Sequence, residues 1–219
     1  MRYELTKIID KSMEYLTDAP RNYIGASGIG GDCLRKIWYS FKGENGESLS
    51  PRVKRILDVG KNLEEAVDNW LRDAGVIICR LNPELVDDEM SYFKGNVDGI
   101  WVKGLRDSSP IAIIEIKTAN DSRFKLLVKD GVKKWSKEYY AQIQAYMGLS
   151  GIHSAYILVL NKDNSDLYDE KVIFDPDFYQ SLRQKAKMIY DAKTPPPRVH
   201  GSPLWWQCKL CKYNEVCHK

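Results

Sequence analysis

No stretch of about 18 consecutive apolar residues occurs in the sequence, so no membrane-spanning helix is expected. The opening residues, MRYELTKIIDKSMEYL, are charged and amphipathic and lack the apolar middle of a signal peptide, so the expected compartment is the cytosol. Charge of one sign is also scarce. Thirty-three Lys and Arg against 30 Asp and Glu leave a net charge of only +3. A polyanion would therefore have to meet a local basic patch, because the surface as a whole is not basic. There is no internal repeat and no Walker phosphate loop, so any nucleotide-driven motor would be a separate protein. What the sequence does have is 219 residues, 43% of them hydrophobic, enough for one sizeable core and a small appendage.

Five cysteines in a reducing compartment are not expected to form disulfides. Cys79, inside the apolar run VIICR, reads as a small buried strand residue. Cys208, Cys211 and Cys217 crowd the C-terminus, and Cys33 stands far upstream in SGIGGDCLRKIWY. Three soft ligands on a short tail, with Cys33 as the candidate fourth, leave zinc, an iron–sulfur cluster and unliganded thiols open. His218 adjoins Cys217 and is either a substitute ligand for zinc or a plain tail residue.

Hydrophobic periodicity predicts a helix over 3–16, and Ser27 is placed to cap a second helix running through CLRKIWYSF. The turn-rich stretch KGENGESLSP (42–51) leads to a long helix over 52–73, which Gly75 ends. Strands are expected at 76–81, 90–94, 97–103 and 110–117, helices at 121–130 and 136–149, strands at 154–160 and 169–174, and a helix at 176–192. TPPPR (194–198) cannot continue a helix and opens the cysteine-bearing tail. Helices at both ends around a block of strands predict an α/β fold with a central mixed β-sheet flanked by helices.

The strand IAIIEIK places Ile111, Ile113, Glu115 and Lys117 on one face, and Ala112, Ile114 and Ile116 on the other, which suits a core. A charged pair at the end of an apolar strand is costly without a partner or a purpose. Asp98, in GNVDGIW, lies on the preceding strand, and the hairpin-like loop GLRDSSP lets the two strands pair and bring Asp98 beside Glu115. Two carboxylates in contact repel, and a divalent cation relieves them; oxygen ligands favour Mg²⁺ or Mn²⁺. On the long helix, Val53, Ile56, Leu57, Leu63, Val67, Trp70 and Leu71 form an apolar arc that includes Glu64 and leaves Glu65 well outside. Glu64 then either joins the metal site or pairs with a cation at the core edge. Gln142 and Tyr146 share a face of the helix EYYAQIQAYMG. They either bind a phosphate or orient the lysine, or form a polar pair at the core edge.

Glu64 four residues after Gly60, Asp98 in GNVDG, EIK at 115–117 and Gln142-x-x-x-Tyr146, in that order, resemble the PD-(D/E)XK nuclease superfamily, and more narrowly its RecB-like branch. The resemblance implies a restriction-endonuclease-like core. Asp98, Glu115 and the Ile116 carbonyl would bind one or two Mg²⁺ or Mn²⁺ ions, and Lys117 would position the attacking water. Many members of that branch have His where this chain has Glu64, while other branches have Glu. One cysteine before the core and three after it are similar to the iron–sulfur members, including the CRISPR-associated adaptation exonucleases and the AddB nuclease domain. That similarity implies a 4Fe–4S cluster on Cys33, Cys208, Cys211 and Cys217. The expected organisation is one nuclease domain over 1–219 with its core at about 50–193, and with 27–41 and 194–219 forming a cluster subdomain that joins the two ends. Trp205 and Trp206 would shield the cluster or stack on a base.

The expected partner is DNA, as single strands or duplex ends, through Arg123, Lys125, Lys129, Lys133, Lys134 and Lys137, with Trp135, Tyr139 and Tyr140 interleaved. The implied activity is metal-dependent phosphodiester hydrolysis by an exonuclease. A different class is a DNA-end-binding module working with a helicase, recombinase or integrase in repair, phage recombination or CRISPR adaptation. A third is a zinc-ribbon protein whose EIK is coincidental.

Overall fold

The computed structural model describes residues 4–14, 21–79, 84–104 and 109–219. The ends of the helix expected at 3–16, the end of the strand expected at 76–81 and most of the hairpin loop at 104–110 lie outside the described residues. In chain order the elements are α1 (Leu5–Glu14), β1 (Ile24–Gly25), α2 (Ala26–Ile29), α3 (Leu34–Phe41), α4 (Pro51–Asp73), β2 (Ile78–Cys79), β3 (Glu84–Val86), β4 (Phe93–Asn96) and β5 (Gly99–Val102). They continue with β6 (Pro110–Ala119), α5 (Asp121–Asp130), α6 (Val132–Trp135), α7 (Lys137–Ser150), β7 (Ser154–Asn161), β8 (Leu167–Ile173), α8 (Pro176–Asp191), α9 (Trp206–Lys209) and α10 (Asn214–His218).

The expected mixed sheet is present, in the order β2-β5-β6-β7-β8. β5 and β6 pair antiparallel, with Gly99 opposite Ile114 and Ile100 opposite Ile113. β6 and β7 run parallel, and α5, α6 and α7 form the crossover that a parallel pair requires. A second, three-stranded sheet, β1-β4-β3, was not legible in the pattern.

β6 is buried on both faces. Ile114 and Ile116 pack with Val67, Leu63 and Leu71 of α4, while Ile113 joins the main core with Ile143 and Met147 of α7. Helix α4 begins as its sequence dictates: the Ser50 hydroxyl accepts from the Val53 N–H, Pro51 opens the first turn, and Gly75 follows the end at φ +83°. Its apolar arc is right in phase but too long. Val53, Ile56, Leu57 and Trp70 are exposed, at 39%, 49%, 57% and 47%. The sheet covers only the stretch from Leu63 to Leu71, and the N-terminal half of the helix runs on beyond it.

Ser27 does not cap the helix through CLRKIWYSF. It sits inside the single turn α2, and Cys33 takes the capping position of α3. Gly30 separates the two helices where α2 meets α7, since a Cβ there would come within 2.6 Å of the Glu138 Cα. Cys79, expected to be buried, is half-buried on the edge strand β2.

Candidate active site

β6 carries Glu115 and Lys117 onto the face that α7 covers. Glu115 is 1% exposed. The Lys117 Nζ lies 2.5 Å from Glu115 Oε1 and 4.0 Å from Asp98 Oδ2, and it donates to the Ile116 carbonyl at 3.0 Å. Asp98, just ahead of β5, is fixed by strand pairing, and its Oδ2 accepts the Ile116 N–H at 3.0 Å. From α7, Gln142 Nε2 donates to Glu115 Oε1 at 2.6 Å and to the Tyr146 hydroxyl at 2.9 Å. Gln142 and Tyr146 therefore share the expected face, where Gln142 meets the carboxyl of Glu115 and Tyr146 meets Gln142; Tyr146 is 3% exposed, too enclosed to reach a phosphate. Its ring edge approaches β4 where Gly95 leaves room, since a Cβ there would come 2.6 Å from Tyr146 Cε1. On α4, Glu64 is half-buried beside this group and Glu65 is exposed, as helical phase predicts.

Burial pushes the Glu115 carboxyl up to about 8; Lys117 opposes this, while Asp98 and Glu64 add to it. Burial likewise raises Glu64, with Lys117 again opposing and Asp98 adding. For Lys117, burial pulls the ammonium down, but Glu115, Asp98 and Glu64 outweigh it and hold the group well above the usual lysine range. Three carboxyls thus face one ammonium, and Glu115 Oε2 is buried with no hydrogen-bond partner. A hard cation would satisfy that oxygen and offset the excess negative charge. The donor set of Glu64, Asp98, Glu115 and the Ile116 carbonyl fits such an ion in chemistry. Among the described residues, however, no group of three or more His, Cys, Asp and Glu is spaced to hold a metal as the side chains stand.

Lys117 opens onto a cleft of about 960 Å³ between the N-terminal half of α4 and the ends of β6 and β7. Arg52, Arg55, Lys61 and Lys162 line it with Lys117, Arg55 pairing with Asp10 of α1, and Glu64 is the one acid among the described lining residues. None of the six basic residues from Arg123 to Lys137 lines this cleft. Several are engaged locally instead: Lys125 pairs with Asp121 at 2.7 Å, Arg123 lies 5.1 Å from the Trp135 ring, and Lys133 lies 5.0 Å from the Tyr140 ring. The six basic residues lie on α5, α6 and the start of α7, in the crossover that follows β6. Of the aromatic residues expected there, Tyr139 does border the cleft. The α4 cations and Lys162 were missed; the available signal was five cations on the helix that carries Glu64, three of which line the cleft.

The two chain ends meet at a second place. Cys33, Cys208, Cys211 and Cys217 all line one cavity of about 370 Å³, together with His218. Among the described residues every cysteine is a free thiol. Burial raises the Cys208 thiol, and Cys217, Cys33 and Cys211 raise it further. Arg35 holds the tail: Nε donates to the Pro196 carbonyl at 2.5 Å and Nη2 to that of Pro195 at 3.3 Å, with Nη1 3.9 Å from Cys217 Sγ. The His218 Nε2 is buried without a partner. Trp205 and Trp206 remain 41% and 60% exposed, so they cover the cysteines less than expected; Trp205 stacks on His200.

No protein-family model matches the chain, and no curated protein matches it. Solved structures do. LHK-Exo, an alkaline exonuclease from Laribacter hongkongensis, solved in complex with dAMP, gives a TM-score of 0.60 at 16% identity over 77% of this chain and 86% of its own. A phage-related exonuclease from Haemophilus somnus 129PT gives 0.53 at 14% identity, over 76% and 91%. The protein SSO0001 gives 0.53 at 16% identity, and here the match spans 99% of this chain and 98% of the other. At these identities what is shared is the fold.

Proposed function

We propose that the chain is a metal-dependent DNA exonuclease of the PD-(D/E)XK type, with Asp98, Glu115 and Lys117 at its centre. The observation that carries this reading is the buried Glu115 carboxyl, paired with Lys117 and with one oxygen unpartnered, where Lys117 also approaches Asp98 and lines a cationic cleft. The fold shared with two exonuclease structures agrees with it. Glu64, Asp98, Glu115 and the Ile116 carbonyl would hold Mg²⁺ or Mn²⁺. When bound, the ion supplies charge neutralisation at the scissile phosphate and a more acidic water. The Lys117 ammonium, charged throughout the physiological range, stabilises negative charge on the nucleophile and the phosphate. Gln142 fixes the Glu115 carboxyl, and Tyr146 fixes Gln142, so the pair acts by positioning.

The test is digestion of end-labelled single-stranded and duplex DNA by the purified chain with Mn²⁺ and no other protein, alongside Asp98→Ala. Progressive loss of label in the wild type alone is expected. Equal digestion by Asp98→Ala would overturn the assignment, and DNA binding with no digestion would favour the end-binding module.

We further propose that Cys33, Cys208, Cys211 and Cys217 hold a 4Fe–4S cluster, which places the chain in the iron–sulfur RecB-like branch and makes 27–41 and 194–219 one subdomain. Its support is the convergence of all four thiols on one cavity with Arg35 beside Cys217. The unpartnered His218 Nε2 favours zinc as the second reading. Anaerobically purified protein is expected to be brown, to absorb near 400 nm, and to lose both properties in Cys208→Ser. A colourless preparation holding zinc would decide for the second reading.

A further inference from the structure

The cleft over Lys117 has two unlike walls. One is the half of α4 that extends past the sheet, where Arg52 and Lys61 stand beside Ile56 and Leu57, which are 49% and 57% exposed. The other is the turn after β7, which presents Lys162 rigidly. The Lys162 N–H donates to the Ala119 carbonyl at 2.9 Å. Asn161, fully buried, donates its amide to Asp121 Oδ1 at 3.1 Å, and Asp163 Oδ2 accepts the Asp121 N–H at 2.8 Å. Tyr139 closes the inner end, with the Lys117 Nζ 5.6 Å from its ring.

Cations spread over two walls, with Glu64 the one acid among the described lining residues, suit a polyanion. Large aliphatic side chains left bare among those cations suit a ligand that also offers apolar surface. A duplex keeps its base faces inside the stack and presents phosphates. An unpaired strand presents both. We infer that the cleft is a track for one unpaired DNA strand. Arg52 and Lys61 on α4 and Lys162 on the facing turn hold successive phosphates, and Ile56, Leu57 and the Tyr139 ring cover the bases between them. This rests on the nuclease reading of the Lys117 site, but strand binding is measurable without cleavage.

The experiment is fluorescence anisotropy of a labelled oligothymidylate of ~12 nucleotides with the full chain in EDTA, between about 50 and 300 mM NaCl, against a blunt duplex of equal length. The single strand is expected to bind more tightly than the duplex. Lys61→Ala and Lys162→Ala should each reduce the slope of log affinity against log salt by about 0.7, the loss of one phosphate contact on a single strand. Leu57→Ser should weaken binding by ~5-fold or more with the slope unchanged, the loss of a base contact. Arg123→Ala and Lys129→Ala, on α5, should change neither. All five positions are exposed, and matching circular dichroism melts would show that each variant folds. Unchanged slopes in both cleft variants, loss of slope in the α5 variants, or duplex binding as tight as single-strand binding would each overturn the inference. A strand that is bound through these residues but never cut with Mn²⁺ would sink the nuclease reading and leave the track standing.

Discussion

Replacing Lys117 with methionine is expected to slow DNA cleavage by roughly 10³-fold while the protein still folds. The two halves of that expectation have different causes. Methionine is unbranched and only one atom shorter than lysine, and it removes the charge that faces Glu115 and Asp98. A positive group aimed at developing negative charge in a water-poor site contributes to the transition state and little to the ground state, so the loss falls on rate. Removing one partner of a buried ion pair ordinarily destabilises a protein severely, because the other charge is left stranded. Here the stranded group is a carboxyl that burial has already pushed to about 8, so it takes up a proton and becomes neutral. Gln142 still reaches its Oε1. The melting temperature should therefore shift by about 2–4 °C at most, the equivalent of about 1 kcal/mol for a chain of this size. Cleavage within tenfold of wild type in Lys117→Met would remove the lysine from the chemistry. A collapse of the fold would show that the pair is structural.

The second large effect lies away from the site. Asp87, 5% exposed, follows β3 and ties the small sheet to α8. Its Oδ2 accepts from Arg183 Nε at 2.8 Å and from the Tyr179 hydroxyl at 3.0 Å, and its Oδ1 accepts from Arg183 Nη2 and the Met90 N–H, both at 3.0 Å. Burial pushes this carboxyl up, but the Arg183, Glu89 backbone and Tyr179 hydrogen bonds outweigh burial and hold it below the usual carboxylate range. Asp87→Ala leaves Arg183 Nε, the Tyr179 hydroxyl and the Glu89 and Met90 N–H groups without this acceptor, while Arg183 Nη2 keeps Glu89, and it is expected to cost about 2–3 kcal/mol in denaturant unfolding. A pKa depressed by folding stabilises the native state fully above the unfolded value, about 3.9, and that contribution fades as pH falls through the folded value. The gap between wild type and Asp87→Ala should thus be constant from pH 7 to about pH 5 and narrow below about pH 4. A cost under about 1 kcal/mol at pH 7, or a gap that widens in acid, would show that the network contributes little.

Asp98, Glu115 and Lys117 were legible because strand alternation and a hairpin fix neighbours locally, and Glu64 was legible because helical phase does the same on α4. The partner of Gln142 was not. Phase places an amide on a face but does not say which atom of the facing strand it will meet. The small sheet escaped because β1 and β3, at two and three residues, are too short to show a period. Asp87 carried no signal in LVDDEM, since its partners Tyr179 and Arg183 lie some ninety residues away. The cleft cations were hidden for a related reason. The phase of α4 shows which side faces inward, but only the sheet shows where that side stops being covered.

That last feature divides one helix into two mutational regimes. Between Leu63 and Leu71, substitutions disturb a packed interface with β6 and β7 and are filtered by stability. Between Arg52 and Lys61, α1 holds Lys54 and Arg55, through the Met13 carbonyl and Asp10, but Arg52, Val53, Ile56, Leu57, Asp58, Val59 and Lys61 are exposed and can drift in charge, size and shape at little cost to the fold. Because both stretches belong to the same rigid rod, every such change is still delivered at a fixed distance from Glu64. On the nuclease reading proposed above, substrate preference could diverge among descendants of this chain while the Lys117 site stays where it is, and directed evolution of specificity should begin at the exposed positions of that stretch.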